Sequence, residues 1–177
     1  MTTQTLPAGP EWFGHPRGLF VCFATEMWER FSFYGMKYLL VLFLVQHHLF
    51  TDGEALRILG AYAALVYAMP LLGGLVSDRY LGQTNAVKLG GILLVLGHCA
   101  MAFEGVPASQ TAAGAIVRDE QAISVFYFAL ALIVVGVGLL KPNISTVVGK
   151  LYGDNDPRRD GGFTIFYMGI NIGAASA

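Results

Sequence analysis

Five long apolar stretches recur along the chain: residues 19–46, 58–77, 86–103, 122–149, and from 163 to the last residue. Most approach or exceed the ~20 residues a helix needs to cross a bilayer core. In hydrocarbon every backbone N–H and C=O must be satisfied internally, so only helices and closed barrels qualify. Barrel strands alternate apolar and polar residues, whereas the run "YLLVLFLV" does not alternate. The pattern therefore predicts an all-α, polytopic helical membrane bundle. Composition agrees: 13% of residues are charged, against about a quarter in soluble domains.

Five helices fit, at about 18–48, 55–78, 84–104, 121–151 and 161–177. Their connectors, "HHLFTDGEA", "SDRYLGQTN", "EGVPASQTAAGAIVRDEQ" and "YGDNDPRRDGG", carry turn-forming residues. None reads as a domain linker, so residues 1–177 are expected to form one continuous bundle. The last segment, "FTIFYMGINIGAASA", stops in mid-pattern. The chain is accordingly expected to be the front portion of a longer protein, cut within its fifth helix.

Charge bias gives an orientation. The N-terminal flank and the second and fourth connectors hold Arg17, Arg79, Lys88, Lys150, Arg158 and Arg159, while the first and third hold Arg57 and Arg118. Six against two places the N-terminus in the cytoplasm by the positive-inside rule. The stretch before the first helix lacks a basic region followed by a cleavage site, so that helix is not a removable signal peptide. A net charge of −1 without a basic run offers nothing to nucleic acid. Cys22 and Cys99 fall inside apolar segments and read as buried thiols.

Helices here are rich in glycine. Gly73 and Gly74, Gly90 and Gly91, Gly136 and Gly138, and Gly169 with Gly173 are expected to let helix backbones approach closely. Pro70 and Pro142 are expected to bend or break their helices. His98 reads as a packed histidine. His47 and His48 sit at an interface without metal-ligand spacing, and no metal site or cofactor is expected. Trp12 is an interfacial anchor candidate and Trp28 a packing residue. Neither a Gly-x-Ser-x-Gly elbow nor a His-Glu-x-x-His pair is present, which argues against an enzyme. No filter-like segment suggests a channel.

The segment "ATEMWERFSFYGMKYLLVLFLV" places Glu26, Glu29, Arg30 and Lys37 within the first span. Four ionised groups cost up to about 10–14 kcal/mol at the bilayer centre, and the Leu, Val and Phe residues of the span return only about 4–8. Exposure of this face to lipid loses that comparison. At about 100° per residue, all four charges, with Phe33 and Tyr34, fall within a face about 140° wide. It must look into protein or a watery cavity. Lys141 lies about 13–14 Å from Lys150 along its helix, so a second helix delivers charge near the midplane. Burial and neighbouring cations act in opposite directions on a carboxylate's proton affinity. Glu26 and Glu29 can then exchange a proton when a partner moves, which is what proton coupling requires. Static salt bridges stapling helices together are the structural alternative.

Glu26-Met27-Trp28-Glu29-Arg30-Phe31 resembles the Glu-x-x-Glu-Arg-Phe signature of the proton-coupled oligopeptide transporters, a branch of the major facilitator superfamily. "GGLVSDRYLG" is similar to the superfamily's loop between helices 2 and 3, with Gly82 one residue later than the general pattern. "FYMGINIGA" resembles the family's helix 5 signature, and Lys141 in "GVGLLKPNIS" its helix 4 lysine. The resemblance implies two six-helix halves rocking around a central site, with this chain forming most of the N-terminal half. It implies proton-coupled symport of di- and tripeptides across the plasma (inner) membrane, protons being the coupling ion and the C-terminal half the partner. By position, Glu26, Glu29, Arg30 and Lys141 would couple protons. Arg30, Lys37 and Lys141 would attract the peptide carboxylate, and Tyr34, Tyr67, Tyr167 and Asn171 would contact its backbone. Asp78 and Arg79 would form a gating loop. Lys37 stands where many members have Arg, and Phe33 where Tyr is common, which bears on peptide preference. Tyr167 and Asn171, four apart, could alternatively make a helix–helix hydrogen bond. A related carrier of another anionic cargo, such as nitrate or an amino acid, is the alternative function.

Overall fold

The computed structural model describes residues 10–177. The expectation about a signal peptide falls partly on residues 1–9, outside the described residues. Five α-helices carry the fold: α1 (Arg17–Gln46), α2 (Asp52–Val76), α3 (Gln83–Met101), α4 (Glu120–Lys150) and α5 (Arg159–Ala175). Two small hairpins accompany them, β1 (Glu11–Trp12) with β2 (His15–Pro16), and β3 (Ser109–Gln110) with β4 (Ile116–Val117). Three helical stretches are long and apolar enough to cross a membrane: Asp52–Leu81, Gln83–Met101 and Glu120–Lys150. The remaining two helices differ from these for separate reasons. α1 has 30 residues but carries the four charges, and α5 has 17 residues.

Helix starts follow local chemistry. α2 begins at Asp52 rather than near residue 55 because Thr51 and Glu54 form a capping box. Thr51 N–H donates to Glu54 Oε2 at 2.9 Å, and Glu54 N–H donates back to Thr51 Oγ1 at 3.3 Å. At its far end α2 runs into a π-helical turn, Ser77–Leu81, closed by Gly82 N–H donating to the Ser77 carbonyl at 2.7 Å. A π turn holds one residue more than an α turn between bonded groups. It thus accommodates the one-residue displacement of Gly82, which takes φ 71° before α3 begins. Pro70 and Pro142 lie inside continuous helices rather than breaking them. Cys22 is buried as expected, but Cys99 is exposed on α3, and Trp28 is exposed rather than packed.

The chain forms two compact units. One comprises the described part of Met1–Met36 together with Ile144–Ala177. Here Gly169 of α5 sits against Phe23 of α1, and Gly173 sits against the Met27 carbonyl and Arg30 Cβ. A side chain at Gly173 would overlap that carbonyl, so the predicted close approach of two backbones is made by α1 and α5. The β1–β2 hairpin in the same unit is tied to the α4–α5 loop. His15 Nδ1 and the Tyr152 hydroxyl share a hydrogen bond of 2.8 Å. Arg158 donates to Glu11 Oε1 and to the Gly14 carbonyl, each at 2.9 Å, and to Asp156 Oδ2 at 2.8 Å. Bonding to the Arg158 side chain and backbone N–H holds the Asp156 carboxyl down at about 2.

The other unit, Lys37–Asn143, is built on glycine seams. Gly90 of α3 and Gly136 of α4 each lie against the other's carbonyl, and Gly97 packs on Ala129 and Ile133. Gly73 of α2 lies against the carbonyl of Gly138 in α4. Pro142 has no N–H to offer that carbonyl, and a Cα hydrogen of Gly73 points at it instead, a weak but recurrent helix–helix contact. At one end of this unit Arg118 donates to the His48 carbonyl at 2.8 Å and the Leu49 carbonyl at 3.0 Å. Its guanidinium lies 4.4 Å from the Phe50 ring centre, and His48 is buried beneath the corner. Asp119 bonds the N–H groups of Ala122 and Val106, fixing the start of α4.

Two outcomes are expected. Gly73→Val forces a Cβ into the Gly138 carbonyl and lowers stability by about 2–3 kcal/mol, read as the melting temperature in detergent; Gly91→Ala, in open space, leaves it nearly unchanged. Asp156, depressed from its ordinary 3.8 to about 2, contributes stability that is full above about pH 4 and lost as pH falls toward 2. The protection factor of the Arg158 amide, bonded to Asp156 Oδ1 at 2.9 Å, that is its exchange rate relative to the intrinsic rate at each pH, should fall across that window and stay constant above it.

Candidate functional site

In α1, Glu26, Glu29 and Arg30 occupy positions i, i+3 and i+4, which place them on one helix face. All three are at most 6% exposed. Arg30 folds back to grip Glu29 bidentately, its Nε donating to Oε2 and its Nη2 to Oε1. Glu26 Oε1 stands 3.7 Å from Arg30 Nε. The guanidinium lies 5.0 Å from the Phe33 ring centre and 6.0 Å from that of Tyr34, both favourable for a cation. The close α1–α5 contact at Gly173 comes up to Arg30 Cβ, so the glycine that lets α5 approach also covers the arginine's stem. Two carboxylates share one guanidinium here, a formal charge of −1 that a single proton neutralises.

Tyr34, in the same unit, is half-buried. Tyr167 and Asn171 are exposed on α5. Asn171 Nδ2 donates to the carbonyl of Tyr167 at 3.0 Å, within its own helix, so this amide hydrogen serves the α5 backbone rather than a neighbouring helix. With Thr164, Met168 and Ile172 the two residues border an open groove along α5.

In the other unit Lys37 and Lys141 are half-buried. Lys141 Nζ lies 5.7 Å from the ring centre of Tyr67 on α2, an ammonium over an aromatic face. Asp78 and Arg79 sit exposed in the π turn. There Gln83 donates to Asp78 at 3.4 Å and the Arg79 guanidinium lies 5.6 Å from the Tyr80 ring. His98 bonds the Leu94 carbonyl at 2.7 Å, the behaviour of a packed histidine. No group of three His, Cys, Asp or Glu residues able to hold a metal occurs among the described residues.

Reading the sequence alone missed three polar side chains. Arg118, counted only as a loop charge, binds two carbonyls at the end of α1. Ser77 and Asn143 form a buried hydrogen bond between α2 and α4, with the Ser77 hydroxyl donating to Asn143 Oδ1 at 2.6 Å. The available signal was a serine and an asparagine set among apolar helical neighbours, where an unsatisfied polar group is costly.

A family model described as the POT family matches residues 84–177. The chain is 47% identical over 170 residues to the Bacillus subtilis protein named Uncharacterized transporter YclF, covering 93% of this chain and 31% of that protein. It is 45% identical over 174 residues to the Di-/tripeptide transporter of Lactococcus lactis subsp. lactis, with 93% and 31% covered. It also resembles a crystal structure of the peptide transporter POT in complex with sulfate: TM-score 0.82, 42% identity, 97% of this chain and 32% of that chain. The chain thus spans about a third of the length of the curated relatives it matches.

Removing one partner of a buried ion pair strands the other. Glu29→Ala should therefore destabilise the protein by about 3–5 kcal/mol, and Glu26→Ala, at longer range from Arg30, by less. Thermal unfolding of the two variants in detergent gives the comparison; equal effects would remove Glu29's special place in the cluster.

Proposed function

The chain belongs to the POT family, and from that membership we propose that it works within a longer transporter as most of the N-terminal half of a proton-coupled symporter of di- and tripeptides. The family's transporters are membrane proteins, and the apolar helices suit a bilayer. In this reading the protein lies in the plasma (inner) membrane with its N-terminus in the cytoplasm, as the charge bias of its connectors favours. Its partners are the peptide, the proton, the lipid and the C-terminal half of the same chain, and it needs no cofactor beyond the coupling proton.

The observation that carries the proposal is the buried Glu26–Glu29–Arg30 cluster. Its guanidinium is committed to Glu29 while Glu26 waits 3.7 Å away. A peptide carboxylate that draws Arg30 toward itself releases a carboxylate from its cation, and that carboxylate takes up a proton. When the peptide leaves, Arg30 returns and the proton is expelled. Binding of one ligand thereby changes the affinity for the other, which is the thermodynamic content of symport.

Lys141 acts as a further proton-coupling group, and Arg30, Lys37 and Lys141 attract the peptide's carboxylate. Lys37 is a point charge where a guanidinium would offer a two-pronged grip. Tyr34, Tyr67, Tyr167 and Asn171 supply hydroxyl, ring and amide contacts to the peptide backbone. Asp78 and Arg79, in the π turn, form a gating loop that holds helix ends in one of two arrangements. The alternating arrangement follows from repeats rocking about a fixed site. A named di-/tripeptide transporter among the relatives favours peptide over nitrate or a free amino acid.

The test is dipeptide uptake by the full-length protein in liposomes, with and without an inward proton gradient. Glu29→Gln should abolish gradient-driven accumulation while sparing counterflow. Lys141→Ala should raise KM about tenfold, the scale of one charge-assisted hydrogen bond. Accumulation that survives Glu29→Gln would exclude the coupling role, and uptake of nitrate in place of dipeptide would exclude the cargo.

A further inference from the structure

The seam between α2 and α4 has little to fix its register. Gly73 and Gly138 meet backbone to backbone, and the side chain filling the notch at Gly138 is that of Met69, an unbranched and flexible chain that fixes rotation weakly. Gly74 adds only a contact of its Cβ direction with Pro142 Cβ at 3.9 Å. Pro142 has no N–H, which removes one rung of α4's own hydrogen-bond ladder next to Lys141. Packing on α3 through Gly90, Gly97 and Gly136 holds the other side of α4, and at the α2 seam, beside the weakened turn, a directional bond fixes the fine rotation.

One buried interaction of this kind is present. The Asn143 amide is oriented by its Nδ2 donating to the Leu139 carbonyl at 2.7 Å, which turns Oδ1 toward α2. Ser77 donates its single hydroxyl hydrogen to that oxygen at 2.6 Å, with the Gly74 carbonyl also near at 2.8 Å. Ser77 is fully buried and Asn143 is 2% exposed, so the bond is shielded from competing water. Asn143 lies two residues beyond Lys141, about 200° around the helix. A rotation of α4 that broke the bond would swing Lys141 away from Tyr67.

We propose that Ser77 and Asn143 are positioning residues for Lys141: their hydrogen bond pins the rotation of α4 against α2, and so ties the π turn bearing Asp78 and Arg79 to the presentation of the Lys141 ammonium over Tyr67. Ser77 opens that π turn, so a change in the turn's winding moves the donor of the bond. The inference rests on the transport reading for its functional consequence, but the positioning itself does not.

Two measurements on the full-length protein separate these parts. In the first, an amine-acylating reagent is applied and the labelling rate of Lys141 is read by peptide mass spectrometry, with exposed Lys88 as the internal reference. Ser77→Ala and Asn143→Ala should each speed labelling at Lys141 at least about fivefold and leave Lys88 unchanged, and Ser77→Thr, which keeps the hydroxyl, should restore the original rate. Unchanged Lys141 labelling in Ser77→Ala would overturn the proposal. Should Ser77→Ala fail to fold, Asn143→Ala reports on the same bond from the other side. In the second, dipeptide uptake by Ser77→Ala should show KM raised about tenfold with kcat nearly kept, and the double variant should be no worse than either single one. Normal KM in Ser77→Ala, when Lys141→Ala raises it, would overturn the proposal and leave the transport reading standing. Absence of dipeptide uptake by the unsubstituted protein would defeat the transport reading, and the labelling result would still decide the positioning claim.

Discussion

The burial of the Arg30 guanidinium against two carboxylates of its own helix is the constraint on which the first unit depends. A lone buried cation is prohibitively costly, and a paired one is merely neutral to mildly unfavourable compared with an apolar side chain. Such a cluster persists because its parts are mutually arranged. Glu29 takes both prongs of the fork, Glu26 adds a second negative charge, and Phe33 and Tyr34 present ring faces. A cluster with one more carboxylate than cation changes its formal charge balance with a single proton.

Close approach of helices follows from that need for cover. Without a hydrophobic driving force between helices in lipid, association relies on packing and on hydrogen bonds. Gly169 and Gly173 let α5 come onto the α1 backbone beside the cluster, and Gly73, Gly90, Gly97, Gly136 and Gly138 do the equivalent work in the other unit. Such seams give contact area with a few interlocking side chains, among them Met69, Leu94 and Ile133. Directional polar contacts add to this register: Ser77 with Asn143, Lys141 over Tyr67, and Arg118 on the carbonyls that follow α1.

Much of the molecule was legible before any coordinates. The apolar runs gave all five helices, with ends displaced by a few residues where local capping decided. Thr51 and Glu54 spelled a capping box that moves the start of α2 to Asp52, a signal present in the sequence but passed over. The late position of Gly82 was visible as an irregularity, and its cause, a π turn, was not. Pro70 and Pro142 were expected to bend or locally break their helices and lie inside continuous ones; at Pro142, Gly73 of the neighbouring helix lies against the Gly138 carbonyl that lacks its N–H partner. Trp28 and Cys99 were expected inside and lie outside. Apolar character alone does not distinguish the face of a membrane helix that meets protein from the face that meets lipid.

The sequence by itself determined that this chain is helical and membrane-bound, that α1 has a charged face which cannot meet hydrocarbon, and most of the glycines that are contact points, though Gly91 lies in open space and Gly97 was not singled out. Those properties are set by periodicity and by transfer free energy, which depend on residue type and spacing along one helix. Only the structure decided that Arg30 takes Glu29 bidentately with Glu26 at longer range, that Gly73 meets the Gly138 carbonyl that Pro142 cannot bond, and that Ser77 finds Asn143. Hydrogen bonds act over about 3 Å and demand alignment. Partners 66 residues apart in the chain become partners only when helix rotation and depth bring them into that range.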